Sequence, residues 1–211
     1  MPLPDPPLLV ISDRKQATRP LPEIAAASFA AGCRWLSLRE KDLPPDDQRT
    51  LLAALKEVAA PFGATVMLHG DPALAREAGT GVHLGAGADV AAARAQLGPQ
   101  ALIGLSVHDA EEARAAIGAD YVIAAPVFLT ASKPGYGPAL GAAGLAAIVA
   151  ASPVPVIALG GIENADRAAA CRASGAAGIA VMGAVMRATD VAAAVTPLVA
   201  VLARRDQARP G

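Results

Sequence analysis

Eight short apolar runs recur along the chain, each separated from the next by a longer, mostly alanine-rich stretch. This alternation limits the possible folds more than any other feature. The runs are Leu8–Ile11, Trp35–Leu38, Thr65–Leu68, Val82–Leu84, Leu102–Ser106, Tyr121–Ala124, Val156–Leu159 and Gly178–Val181. Short, nearly continuous apolar segments suit strands buried on both faces. The segments between them predict helices over Leu21–Ala31, Asp46–Ala60, Pro72–Ala78, Val90–Leu97, Ala110–Ile117, Ala142–Ala150, Ala165–Ala173 and Val191–Leu202. Asn164 and Asp190 stand where a side chain would accept the orphan N–H groups of a helix start. Gly32, Gly79, Gly118 and Gly175 stand where a left-handed residue ends a helix cheaply. Strict alternation predicts a parallel sheet, because every parallel pair needs a crossover. Eight units in 211 residues predict an α/β chain closed into a (β/α)8 TIM barrel. The alternative, an open doubly wound sheet, lacks a G-x-G-x-x-G after the first strand. Residues 1–211 read as one barrel domain, with 205–211 a polar, frayed tail.

Aromatic residues make up only 3% of the chain and hydrophobic residues 54%, so the core is built from Ala, Val, Leu and Ile, and disorder is excluded. With 18 Lys and Arg against 19 Asp and Glu, no basic stripe is available to neutralise a nucleic-acid backbone, and that class of partner is disfavoured. The uncharged stretch from Gly141 to Ile162 is long enough to span a bilayer, but Ser152-Pro153-Val154-Pro155 interrupts it. It reads as a helix, a turn and a buried strand. The amino terminus has no basic n-region or apolar h-region. These features predict a soluble, cytoplasmic protein without a membrane partner. Cys33 and Cys171 read as small buried apolar residues. Oligomeric state is left open, a homo-oligomer included.

Function in a barrel of this kind sits at the carboxyl ends of the strands. Polar residues gather there: Ser12-Asp13-Arg14, Arg39-Glu40-Lys41, His69-Gly70-Asp71, His83, Ser106 with His108, and Thr130, Ser132 and Lys133. Arg39 and Lys41 point the same way if their strand extends through them, as a planar fork and a point charge suited to a phosphate or diphosphate. The loop from Pro126 to Gly141 is the longest connection, carries two hydroxyls and a lysine, and reads as a binding element. Gly160-Gly161 and Met182-Gly183-Ala184 end the last two strands, where bare peptide N–H groups can approach an anion. His83 lies within a strand and reads as a packed, hydrogen-bonded residue, whereas His69 and His108 are candidate acid/base groups nearer the mouth. No histidine pair has helical zinc spacing.

An ordered series of motifs runs through nearly the whole chain, from Leu9 to about Met186. It comprises Ser-Leu-Arg-Glu-Lys, Gly-Val-His-Leu-Gly, Gly-Leu-Ser-Val-His, Ala-Asp-Tyr-Val-Ile, Pro-Val-Phe-Leu-Thr-Ala-Ser-Lys-Pro-Gly-Tyr-Gly-Pro, Pro-Val-Ile-Ala-Leu-Gly-Gly-Ile and Gly-Ile-Ala-Val-Met. This set resembles the superfamily of thiamine phosphate synthase and its relative TenI, a thiazole tautomerase. The resemblance implies an enzyme coupling a hydroxymethylpyrimidine diphosphate to a thiazole phosphate, with loss of pyrophosphate. Its task would be neutralising the leaving group and positioning the partners. By motif, Arg39, Lys41, Ser106 and Lys133 would hold the diphosphate, and His108 is counted with them as a candidate catalytic residue for its acid/base chemistry. Thr130, Ser132, Gly160, Gly161, Met182 and Gly183 would hold the thiazole phosphate. Ser37 and His69 would face the substrates from strands 2 and 3.

Several positions depart from the synthase pattern. Ser37 replaces a Gln, and His69-Gly70-Asp71 replaces Asn-Asp-Arg. Ala86 and Ala88 replace a Gln and an Asp. The two missing aspartates are the family's Mg2+ ligands, and Asp71 and Asp89, each one position late, are the candidate replacements. TenI also lacks that acidic pair, but it carries a catalytic histidine where this chain has Pro126. The resemblance therefore favours the synthase. A metal-independent tautomerase using His69 or His108, and a non-catalytic barrel binding thiamine or thiazole phosphates, are the alternatives.

Overall fold

The computed structural model describes residues 2–129 and 138–203. Thr130, Ser132, Lys133 and the expected tail 205–211 lie outside the described residues. The strands are β1 Leu8–Ile11, β2 Trp35–Leu38, β3 Thr65–His69, β4 Val82–Leu84, β5 Ile103–Val107, β6 Tyr121–Ala124, β7 Val156–Leu159 and β8 Gly178–Val181. Each pairs in parallel with the next, and β1 pairs with β8, which closes the barrel. The helices among the described residues are α1 Leu21–Ala30, α2 Pro45–Ala59, α3 Pro72–Glu77, α4 Val90–Leu97, α5 Ala110–Arg114, α6 Gly141–Ala151, α7 Ala165–Ala173, α8 Gly183–Met186 and α9 Val191–Ala203.

Strand residues alternate between two apolar layers, as a pleat with both faces buried requires. Leu9 and Ile11 join Trp35, Met67, Tyr121, Ile123 and Ile157 inside the barrel. Leu8 and Val10 join the layer of Ile24, Phe29, Leu52 and Leu55 between the barrel and its helices. The few aromatic side chains are concentrated where they fill most volume. Trp35 and Tyr121 meet edge to face at 4.8 Å inside the barrel. Both cysteines are buried, and burial pushes each thiol up to about 11, as expected of apolar fillers.

The long uncharged stretch resolves into α6, a turn at Ser152–Pro155 and β7. Among the described residues no helix is long and apolar enough to cross a membrane. Three local expectations are corrected. β5 lies one residue later than predicted, because Leu102 turns into the barrel layer while its carbonyl accepts from Val82 N at 2.9 Å. α5 stops at Arg114, not Ile117. Its end tightens through the Ala116 N–Ala113 O bond (3.2 Å) and the Ile117 N–Ala115 O bond (2.8 Å), which keeps Ala116 buried and leaves Ile117 in solvent. The four-residue α8 was not predicted, being too short to show helical periodicity.

Candidate active site

The carboxyl ends of the strands surround one cavity. Arg39 just beyond β2, His69 at the end of β3, His83 in β4 and Ser106 in β5 line one part of it. Gly160-Gly161 beyond β7 and Met182-Gly183 beyond β8 line another. Of the residues predicted from sequence, Arg39, His69, Ser106, Gly160, Gly161, Met182 and Gly183 therefore converge. Ser37 is fully buried two positions before Arg39, and its Oγ has no hydrogen-bond partner among the described residues.

His83 is the centre of a buried polar chain. Its Nε2 lies 2.9 Å from Ser106 Oγ and its Nδ1 lies 3.2 Å from Tyr121 Oη. The His69 ring stands 4.9 Å away on the neighbouring strand. Burial, reinforced by the positive charge of Lys41, lowers the His83 pKa to about 3, so the ring is neutral at physiological pH. A neutral imidazole has one donor and one acceptor nitrogen. Tyr121 Oη in turn donates to Met67 Sδ at 3.3 Å, so the His83 ring ties Ser106 Oγ to a polar chain that ends inside the barrel. Sequence reasoning assigned His83 a packing role, which it has. Its place among the polar residues at the strand ends was also expected, and the ring does line the cavity.

The Arg39-Glu40-Lys41 triplet behaves differently from expectation. β2 ends at Leu38, so the strand does not carry both cations along one face. Arg39 lines the cavity, and its backbone N donates to Ser12 Oγ at 2.8 Å. Lys41 is exposed and lies over Gly70 of the next loop, its Cε 3.7 Å from where a Cβ on that glycine would sit. Glu40 is buried. It accepts from Ser12 Oγ at 2.7 Å, Arg14 N at 3.0 Å and Arg14 Nη1 at 3.0 Å. Arg14 also forks onto Asp42 at 2.7 and 2.9 Å, so its charge is spent on the loop frame. Replacing Glu40 with Ala leaves the buried Ser12 hydroxyl without its acceptor and takes away one of the two carboxylates that hold Arg14. The expected cost is about 2–3 kcal/mol, reduced from that of a fully buried pair because Arg14 is partly solvated. Urea unfolding at neutral pH measures it.

Two glycine turns shape the other part of the cavity. Gly160 and Gly161 have φ of 108° and 64°, the left-handed region that favours glycine. A Cβ on Gly161 would lie 2.7 Å from Leu129 O and 2.8 Å from Phe128 Cβ. The Gly161 carbonyl accepts from Arg167 Nη1, and that guanidinium stacks 5.1 Å from the Phe128 ring centre.

His108, Asp71 and Asp89 do not line this cavity. His108 donates Nδ1–H to Ala125 O at 2.8 Å, and its backbone N donates to Glu112 Oε2 at 2.7 Å. Asp71 caps α3 through Oδ1, accepting from Ala73 N at 2.8 Å and Leu74 N at 3.2 Å. Asp89 caps α4 through Oδ1, accepting from Ala92 N at 2.9 Å. Among the described residues no group of three or more His, Cys, Asp or Glu side chains could hold a metal ion by itself. Each capping carboxylate still has a second hard oxygen, at the start of adjacent helices. That donor set fits Mg2+ only when phosphate oxygens and water complete its octahedron.

Sequence reasoning missed Arg187 and Glu163, both of which line the cavity. Arg187 follows the unpredicted α8, and Glu163 sits inside a turn chosen only for its glycines.

The thiamine monophosphate synthase family model matches residues 8–185. The chain is 40% identical over 202 residues to the thiamine-phosphate synthase of Moorella thermoacetica, covering 93% of this chain and 95% of that protein. It is 43% identical over 177 residues to the bifunctional ThiM/ThiE thiamine biosynthesis protein of Symbiobacterium thermophilum, covering 82% of this chain but only 37% of that longer protein. The thiamine phosphate pyrophosphorylase structure from Pyrococcus furiosus superposes with a TM-score of 0.82 at 32% identity, covering 92% of this chain and 94% of the other.

Proposed function

The chain belongs to the thiamine monophosphate synthase family, and we propose that it is itself a thiamine-phosphate synthase, joining hydroxymethylpyrimidine diphosphate to thiazole phosphate. The observation that carries this reading beyond membership is the meeting of Arg39 and Ser106 with the Gly161 and Gly183 turns in one cavity, a place for two anionic substrates side by side.

In the reaction the bond from the pyrimidine methylene carbon to the diphosphate oxygen breaks, and the electron pair leaves with pyrophosphate. The thiazole nitrogen then gives its lone pair to the methylene cation, forming the new C–N bond. No proton need move, so the site needs no general base. What it must supply is charge stabilisation on the departing diphosphate and a fixed distance between carbon and nitrogen. Arg39 presents a charged fork to the diphosphate. Ser106 presents its hydroxyl oxygen, held in place by the neutral His83 with Tyr121 behind it. The peptide N–H groups of the Gly161 and Gly183 turns hold the monophosphate. Lys41, Lys133, Thr130 and Ser132 belong to the same reading through the family motifs, as does Mg2+. The second oxygens of Asp71 and Asp89 would hold Mg2+, and it would supply charge neutralisation of the diphosphate.

Pro126 lines the cavity where TenI has its catalytic histidine, which favours the synthase over the tautomerase. Incubation with both substrates is expected to release thiamine phosphate and pyrophosphate in equal amounts, and only with Mg2+ present. Isomerisation of the thiazole carboxylate without metal and without pyrophosphate would overturn the reading, as would binding with no turnover.

A further inference from the structure

We propose that Arg167 is a positioning residue for the monophosphate end of the site; this rests on the synthase reading above. It pins the Gly161 carbonyl from behind, which turns the N–H of the same peptide, that of Ile162, toward the cavity. The loop after β6 and the end of β7 are joined through successive carbonyls. Leu159 O accepts from Val127 N at 2.8 Å, and Gly160 O accepts from Phe128 N at 3.1 Å. Among the described residues no backbone N–H continues this ladder onto Gly161 O, and Arg167 Nη1 donates there instead. Arg167 belongs to the first turn of α7, where its own N–H donates to the capping Asn164 Oδ1 at 3.0 Å. Helix side chains lean toward the N-terminus, so this one reaches back over the cap to the turn. The Phe128 ring, its centre 5.1 Å from Arg167 Cζ, is the bed that keeps the guanidinium there.

Peptide geometry carries this contact into the cavity. The Gly161–Ile162 peptide is trans, so its C=O and N–H point in opposite directions. Gly161 and Ile162 line the cavity, whereas Arg167 and Phe128 do not. The carbonyl drawn to Arg167 therefore sets the Ile162 N–H on the cavity side. Neither the Gly161 nor the Ile162 N–H has an acceptor among the described residues, although Ile162 is only 3% exposed. A buried N–H left without an acceptor is costly, and its place is where a ligand supplies one. Two consecutive glycines would otherwise leave this turn free to rotate its peptides. The Arg167 bond removes that freedom before the phosphate arrives, so binding does not bear the ordering cost. The guanidinium charge also polarises the peptide and strengthens its N–H as a donor. Arg167 itself stays outside the cavity and touches no substrate.

The test compares wild-type protein with Arg167→Met, titrated calorimetrically with the thiazole phosphate and with the same thiazole as its free alcohol. Methionine still packs on Phe128 but removes the donor. The expected result is a loss of about 5- to 20-fold in affinity for the phosphate ester, with the alcohol changed by less than about 2-fold. In steady state the KM for the thiazole phosphate should rise, while kcat and the KM for the pyrimidine diphosphate stay put. Arg167→Lys, which can still donate to Gly161 O, should recover part of the loss. The Ile162 amide proton resonance reads the orientation directly. Adding the thiazole phosphate should move it downfield in the wild type and by much less in Arg167→Met. Should Arg167→Met fail to fold, Phe128→Leu removes the bed, keeps the donor and should give a smaller loss that is still selective for the ester. Equal weakening of ester and alcohol, no weakening of either, or an Ile162 amide that shifts alike in both proteins overturns the positioning role. The synthase reading then stands if the wild type still makes thiamine phosphate. A wild-type protein that binds neither thiazole overturns both.

Discussion

Replacing Arg39 with Gln is expected to lower kcat/KM by about 100- to 1,000-fold, the usual cost of removing one donor aimed at charge that develops in the transition state. The size follows from when the charge appears. Before the C–O bond breaks, diphosphate charge is spread over the ester. As the bond breaks, the bridging oxygen takes a full electron pair, and the group beside it gains stabilising energy at that moment. Arg39 is half-buried at the cavity wall, where the reduced dielectric strengthens its pull. Most of the loss should therefore fall on kcat. Stability should hardly move, because the protein frame uses the Arg39 backbone N, bonded to Ser12 Oγ, and the variant keeps it. A steady-state assay with saturating thiazole phosphate, together with a thermal melt, separates the two. A kcat unchanged by the substitution would remove Arg39 from the leaving-group site and with it the central element of the proposed chemistry.

The barrel was readable from sequence because its cause is periodic. Double-sided burial forces apolar runs, crossovers force the spacing, and six of the eight strand boundaries agree to the residue. What periodicity cannot carry is direction at a strand's end. Arg39 and Lys41 share a face only if the pleat continues, and it stops at Leu38 because Glu40 is drawn to Ser12 and Arg14 of the loop after β1. That contact joins residues 28 positions apart, and no local pattern announces it. Arg187 was hidden for a related reason. Its place at the cavity wall depends on a glycine four residues earlier and a glutamine on the far side of the barrel closure. Asp71 and Asp89 were legible only as carboxylates near a motif, because the strand-end motif drew attention away from the helix starts that follow it. The cap is the part that geometry displays.

Gly104→Ala should be among the most destabilising single-methyl changes available to this chain, at about 3 kcal/mol or more. Gly104 pairs with His83 on one side and Tyr121 on the other in the β4–β5–β6 ladder. A Cβ there would sit 2.6 Å from His83 Nδ1 and overlap the Tyr121 ring. Neither ring can swing aside. Tyr121 is fully buried against Trp35, and His83 is 1% exposed with both nitrogens bonded. The added methyl must spread the strands or push Tyr121 out of its contact with Nδ1. For a domain of this length the melting temperature should fall by about 6–12 °C. The same displacement breaks the chain from Tyr121 through His83 to Ser106, so the surviving folded protein should also lose activity. Ser106→Ala offers the control. It removes the hydroxyl at the end of the chain and leaves the barrel packing intact, so activity falls with little change in melting. If Gly104→Ala melts like the wild type, the rings inside the barrel have room the structure does not show, and the orientation of Ser106 by His83 loses its physical basis.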